Sequence, residues 1–150
     1  MKKYLGVKLL DARPLTLGEY NDYRGWTIPA DEDPAREGYL VRYPDGYESW
    51  SPKEAFEVAY LEMDGDGSKV SRFMVDCFRG KTKASKLDPK TTLVSAECLT
   101  GFVQHEVSSC VDPANYDEKI GHDIGEARIN DTLWLCLGFV LQWAKNGLSK

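Results

Sequence analysis

The order of apolar and polar positions divides the chain into short strands and amphipathic helices. Leu5, Val7, Leu9 and Leu10 give Tyr4 to Leu10 the character of a first strand, closed by Arg13-Pro14. Thr16-Leu17-Gly18-Glu19 has the form of a capping box, with Thr16 at the helix start and Glu19 reaching back to it. A short helix to about Arg24 is expected, stopped by Gly25. Trp26 to Pro29 then leads into Ala30 to Glu37, an acidic loop without an apolar period.

Gly38 to Tyr43 and Gly46 to Trp50, joined through Pro44-Asp45-Gly46, form the clearest hairpin signal. Alternation places Tyr39, Val41 and Tyr43 on one face and Leu40 and Arg42 on the other. Ser51-Pro52-Lys53-Glu54 reads as a second capping box, predicting a helix from Pro52 to about Tyr60. Its apolar positions, Ala55, Phe56, Ala59 and Tyr60, recur at helical spacing and would cover the hairpin.

Asp64, Asp66 and Ser68 alternate like the first ligands of a calcium loop. Lys69 stands where that loop needs Gly and Val75 where it needs Glu, so the stretch reads as a linker. A helix from about Lys69 to Phe78 follows, with Val70, Phe73, Met74 and Cys77 on one face and Gly80 as its stop. The one basic cluster, Arg79 to Lys86, lacks the glycine spacing of a phosphate loop and reads as solvated loop. Thr91 to Leu99 and Phe102 to Ser108 flank Thr100-Gly101 as a second hairpin. Pro113 ends it, and Asp112 or Asn115 is placed to cap a helix in which Ile120, Ile124 and Ala127, then Leu133, Trp134, Leu137 and Leu141, keep helical spacing. Gly121 and Gly125 would admit another backbone close to that helix, and Asn130-Asp131-Thr132 is expected to break it.

These elements predict an α+β fold of two small antiparallel hairpin-plus-helix modules, the C-terminal half ending in a long or broken helix. The boundaries expected are 1–62 for an aromatic-rich hairpin and helix module, 63–90 for a linker with a short helix, and 91–150 for hairpin plus helices.

At 150 residues a chain can bury roughly 68 to 70% of its unfolded surface, enough for a real core. A net charge of −5, from 24 acidic against 19 basic residues, argues against broad nucleic-acid binding. No run approaches a membrane span and the N-terminus lacks a signal-peptide core, so a cytoplasmic protein is expected. Cys77, Cys98, Cys110 and Cys136 include no C-x-x-C pair and are expected as buried free thiols. His105 and His122 do not form a readable metal pair. No catalytic residue, metal site or cofactor is therefore assigned. The Cys110 and histidine combinations are too easily produced by chance to indicate a nucleophile.

Thr100-Gly101-Phe102, Ser109-Cys110-Val111-Asp112-Pro113-Ala114-Asn115-Tyr116-Asp117, Ile120-Gly121, Trp134 and Gly138-Phe139 occur in an order that resembles the small phage protein family typified by gene forty-nine of coliphage N-four and gene sixty-six of Shigella phage Sf-six. Thr100 stands where that family usually has Asn, and Leu137-Gly138 replaces an acidic residue before Gly. Glu19-Tyr20, Tyr23-Arg24-Gly25-Trp26, Gly38 to Val41 and Ser49 to Lys53 resemble an uncharacterised phage and prophage module. The resemblance implies a setting, the infected bacterial cytoplasm, rather than a chemistry.

The first half concentrates aromatic and guanidinium groups. Arg24, Trp26, Tyr39, Arg42, Tyr43 and Tyr47 are the candidate ligand-binding residues, because aromatic faces stack on bases and Arg clamps phosphate. Trp26, Tyr39 and Trp50 are also the expected core members, with Arg24, Arg42 and Tyr47 at the surface. Three readings stay open: sequestration of a nucleotide-type signalling molecule in counter-defence, inhibition of a host protein through the acidic loop Asp31-Glu32-Asp33 and the apolar C-terminal helix, and a structural or housekeeping role. Leu133, Trp134, Leu135, Leu137, Phe139, Val140, Leu141 and Trp143 surround one helix with apolar surface and suggest a homo-oligomer.

Overall fold

The computed structural model describes residues 1–149 and is a mixed α+β structure. Its elements are β1 (Asp11–Pro14), α1 (Leu17–Arg24), β2 (Gly38–Arg42), β3 (Glu48–Pro52), α2 (Lys53–Glu57), α3 (Arg72–Arg79), β4 (Thr82–Asp88), β5 (Thr91–Glu97), β6 (Val103–Ser109) and α4 (Glu118–Asn146), with a single 3-10 turn at Pro113–Asn115. They form two three-stranded antiparallel sheets, β1-β2-β3 and β4-β5-β6. The chain divides into two compact units, one of residues 1–62 with the chain from Trp143 onward, the other Met63–Gln142. No helix among the described residues is long and apolar enough to cross a membrane.

In the first unit, the strand expected at Tyr4 to Leu10 is instead β1, displaced to Asp11–Pro14. It is an edge strand paired only with β2, where Pro14, opposite Tyr39, ends the ladder. Tyr4 and Leu5 stay exposed. The first capping box forms as expected: Glu19 N–H donates to Thr16 Oγ1 at 3.2 Å, and Glu19 Oε2 accepts from Thr16 N–H at 2.8 Å. Gly25 ends α1 in the left-handed region, φ 67°.

β2 and β3 pair from Gly38 opposite Pro52 to Arg42 opposite Glu48. The second capping box does not form. Ser51 is held in the ladder opposite Tyr39, so the helix starts at Lys53 without a side-chain cap and lasts only five residues. Alternation sends Leu40, Arg42, Glu48 and Trp50 towards α1, where Trp50 Nε1 donates to the Leu15 carbonyl at 2.9 Å. Tyr39 lies on the opposite face, stacked on Phe56 of α2 at 4.3 Å. Leu40 and Val41 are both buried, because each face of β2 has a covering helix.

The second unit has the larger core: Val75 from α3, Val94, Ala96 and Cys98 from β5 and its end, and Ile129, Leu133 and Leu137 from α4. Residues 63–90 contain the expected short helix, α3, capped by Ser71, and in addition β4, which joins β5 from Thr82 opposite Ala96 to Asp88 opposite Thr91. The basic stretch expected as loop is thus strand: Lys83 and Ser85 are exposed while Thr82 and Ala84 alternate inward. α3 buries Met74, as expected, and Val70 packs against the core, but Val75 rather than Phe73 or Cys77 completes the inward face, and those two stay exposed.

α4 runs unbroken for 29 residues through Asn130-Asp131-Thr132. Asn130 is buried and accepts from Arg79 Nη1 at 2.8 Å, while Thr132 Oγ1 donates to the Arg128 carbonyl at 3.1 Å. Both polar side chains are satisfied inside the helix geometry, which removes the reason to break it. The two expected close-approach glycines meet β5: a Cβ on Gly125 would lie 2.5 Å from Val94 Cγ2, and one on Gly121 would collide with Thr92. Only Cys98 among the four thiols is buried, with Cys77 and Cys136 exposed and Cys110 intermediate. Burial raises the Cys98 thiol above its ordinary value, with nearby Cys136 adding to the effect.

Candidate functional site

The six candidate residues of the first unit do not form one site. Period-two alternation puts Tyr39 on the α2 face, where its hydroxyl donates to Glu57 Oε1 at 2.9 Å and its ring is occupied by Phe56. That hydrogen bond, followed by burial, raises its phenol above the ordinary value. Tyr43 and Tyr47 pair at the hairpin tip, ring centroids 5.9 Å apart, with Lys8 Nζ 5.1 Å from the Tyr43 ring. Tyr47 is exposed, as expected.

Arg24, Trp26 and Arg42 belong to the α1 side. The Arg24 guanidinium lies 4.8 Å from the Trp26 ring and 6.0 Å from Tyr20, and Trp26 meets Tyr20 edge-on at 6.0 Å. Trp26, expected in the core, is 54% exposed: its backbone N–H follows the αL turn and donates to the Asn21 carbonyl, which holds the ring at the end of α1 rather than beneath it. Arg42 Nε donates to Glu48 Oε1 at 2.8 Å, and Tyr23 donates through its hydroxyl to Glu48 Oε2, also at 2.8 Å. Glu48 is the hub that the sequence reading missed. Its position opposite Arg42 across a two-residue-period hairpin was the available signal. The hydrogen bonds from Arg42 and then Tyr23 hold its carboxyl below the ordinary value, and the Arg24 charge acts in the same direction. The result is a partly exposed surface of two guanidinium groups, one indole and one phenol around a single carboxylate.

The second unit has two concave features. One, of about 140 Å³, is lined by Lys90, Thr92, Ser108, Cys110, Asn115 and Tyr116, with Ile120 and Ile124 at its border. The turn builds it: Asp112 Oδ1 accepts from Ala114 N–H at 2.9 Å, and Tyr116 accepts at its hydroxyl from Thr92 at 3.1 Å while Lys86 covers its ring at 4.2 Å. Ordinary ligand pockets enclose about 300–1,000 Å³, so this hollow suits nothing larger than an ion or a few waters. The other, of about 310 Å³, runs between Arg72 and the α4 side chains Asp123, Glu126, Asn130, Asp131 and Trp134. Three carboxylates against one guanidinium make it unfavourable for an anion.

Beside that groove, Arg79 Nη1 lies 3.1 Å from Glu126 Oε1 and 3.1 Å from Asp76 Oδ1. Thr82 Oγ1 donates to Glu126 Oε2 at 2.8 Å. The Thr82 proton is thereby committed, so His122 Nε2, 2.8 Å from the same hydroxyl, must donate to it. A Thr–His pair arranged in this way clamps β4 to α4 and has no free imidazole lone pair aimed at the hydroxyl. Among the described residues no group of three or more His, Cys, Asp or Glu side chains is placed to hold a metal ion.

The family whose pattern fits this module is described as Phage protein (N4 Gp49/phage Sf6 gene 66), and it matches residues 61–144, more than half of the chain. The chain belongs to that family. The match takes in α3, the whole of the second sheet and α4 to Ala144, so the gp49/gene 66 module includes the strand and helix that precede the recognisable Cys110 to Tyr116 turn. It leaves the Arg24, Trp26 and Arg42 surface outside. No curated protein and no solved structure matches the chain.

Proposed function

We propose that this phage-family protein acts by binding rather than catalysis, taking up a nucleotide-type signalling molecule on the α1 side of the first unit as a counter-defence device. The observation that carries the reading is the Arg24 guanidinium 4.8 Å from the half-exposed Trp26 ring, beside Arg42. An exposed indole offers a base a stacking face, and two guanidinium groups supply charge-assisted donors to phosphate. Glu48 keeps this surface from carrying uncompensated positive charge. It is also the group an anionic ligand must outcompete, which favours ligands with two or more phosphate charges over neutral nucleosides. Neither hollow of the second unit competes: one is too small for a nucleotide and the other is lined by carboxylates.

Calorimetry of the full chain against cyclic nucleotides and ADP-ribose derivatives tests the reading. Binding should weaken at least about fivefold in Trp26→Ala, since stacking of one base is worth about 1–3 kcal/mol. It should weaken further in Arg24→Ala combined with Arg42→Ala. Absence of heat and of thermal shift with every compound would sink the reading.

A further inference from the structure

The face of α4 that packs on the second sheet is occupied by Gly121, Gly125, Ile129, Leu133 and Leu137. The flank of the helix beside that face carries large apolar groups that stay exposed. Ile120 is 59% exposed, Ile124 39%, Leu135 75% and Phe139 69%. At about 100° per residue, these four share an arc of about 100° with two charged residues, Arg128 and Asp131, at the centre. In chain order the six read apolar, apolar, basic, acidic, apolar, apolar. Reversed, the apolar positions fall on apolar positions and each charge falls on its opposite.

We infer that this face is a two-fold interface, in which α4 of one copy lies antiparallel on α4 of a second. Arg128 then faces Asp131 of the second copy, Ile124 faces Leu135, and Ile120 faces Phe139, with the same contacts repeated by symmetry. The stripe is about 29 Å long at 1.5 Å per residue, and a shallow crossing near 20° keeps two helices in contact over that length. Arg128 is prepared for the role: Nη1 donates to the Val107 carbonyl at 2.7 Å, which fixes the side chain along β6 and leaves the other guanidinium donors free. The charge order selects a second copy as the occupant, since a partner of different sequence places no requirement that the stripe read the same in both directions. This interface lies on the second unit and is independent of the ligand proposed for the first.

Sedimentation equilibrium on the full chain should give twice the monomer mass at micromolar concentration. Leu135→Glu and Asp131→Arg, both on exposed positions, should each raise the dimer dissociation constant at least about tenfold while circular dichroism confirms an unchanged fold. Ile124→Cys combined with Leu135→Cys reads the register. Within one helix those positions are about 16 Å apart and cannot bond, so in a chain whose exposed Cys77 and Cys136 are changed to Ser, a covalent dimer under mild oxidation that neither single Cys substitution gives reports Ile124 against Leu135 of another copy. A monomer at all concentrations overturns the inference, as does a dimer unaffected by either charged substitution.

Discussion

Gly125 and Gly138 occupy the same helix in opposite circumstances, and substitution should separate them. An alanine Cβ at Gly125 would sit 2.5 Å from Val94 Cγ2, and Val94 is fully buried in the core. Overpacking of that kind costs about 1–3 kcal/mol, against a gain in helix propensity of about 1 kcal/mol, so Gly125→Ala should destabilise by up to about 2 kcal/mol. Gly138 has nothing within 4 Å, and Gly138→Ala should stabilise by about 0.5–1 kcal/mol. Urea denaturation of the two variants at one protein concentration checks both signs. Glu48 supports a pH prediction at the same scale. Its folded carboxyl is held below 4.5, chiefly by the Arg42 hydrogen bond and then by Tyr23. A depressed folded value means that the carboxylate stabilises the native state above the unfolded value and that this contribution disappears as pH falls through the folded one. Melting temperature should therefore drop below about pH 4.5, and Glu48→Gln should flatten that acid limb relative to the unsubstituted chain.

Elements assembled by local contacts were legible in the sequence, and those assembled across the chain were not. Thr16 and Glu19 satisfy each other within one helical turn, so the start of α1 could be read directly. Ser51-Pro52-Lys53-Glu54 offers the same letters, but Ser51 is held in the ladder opposite Tyr39 and the cap is lost. β4 escaped notice because its inward residues are only Thr82 and Ala84, too small to give an apolar alternation, while Lys83 and Lys86 make it look solvated. The continuity of α4 depends on α3, since Arg79, 13% exposed in its side chain, satisfies Asn130 and pairs with Glu126. In the candidate site, the separation of Tyr39 from Arg42 was visible in the alternation. The hub role of Glu48 was not, because it depends on Tyr23 arriving from another element. Arg79→Met should destabilise by about 2–3 kcal/mol, below the 3–5 of a fully buried pair because Glu126 is a quarter exposed. Adding Glu126→Leu should recover part of that loss, and a double-mutant cycle in urea measures the coupling.

At the scale of the whole molecule, two cores contained in two units make a statement about how the chain opens. The first unit buries Tyr20, Leu40 and Val41 around its sheet, and the second buries Val94, Ala96, Ile129 and Leu133 around its own. Regions with separate cores tend to open as separate cooperative units, each with its own free energy. Leu133 is almost completely buried, and its truncation to alanine removes about 2–5 kcal/mol from the unit that contains it. In native-state hydrogen exchange, Leu133→Ala should accelerate the slowest amides of β5 and of the middle of α4 by at least about 30-fold. The amides that pair β2 with β3 should keep the rates of the unsubstituted chain. Val41→Ala should give the reverse pattern, fast in the first sheet and unchanged in the second. If both substitutions accelerate both sheets equally, the chain opens as a single unit and the ligand surface around Trp26 shares its stability with the phage-family module. If the patterns separate, the first unit can order or loosen around a ligand while the second keeps its core and the α4 face intact.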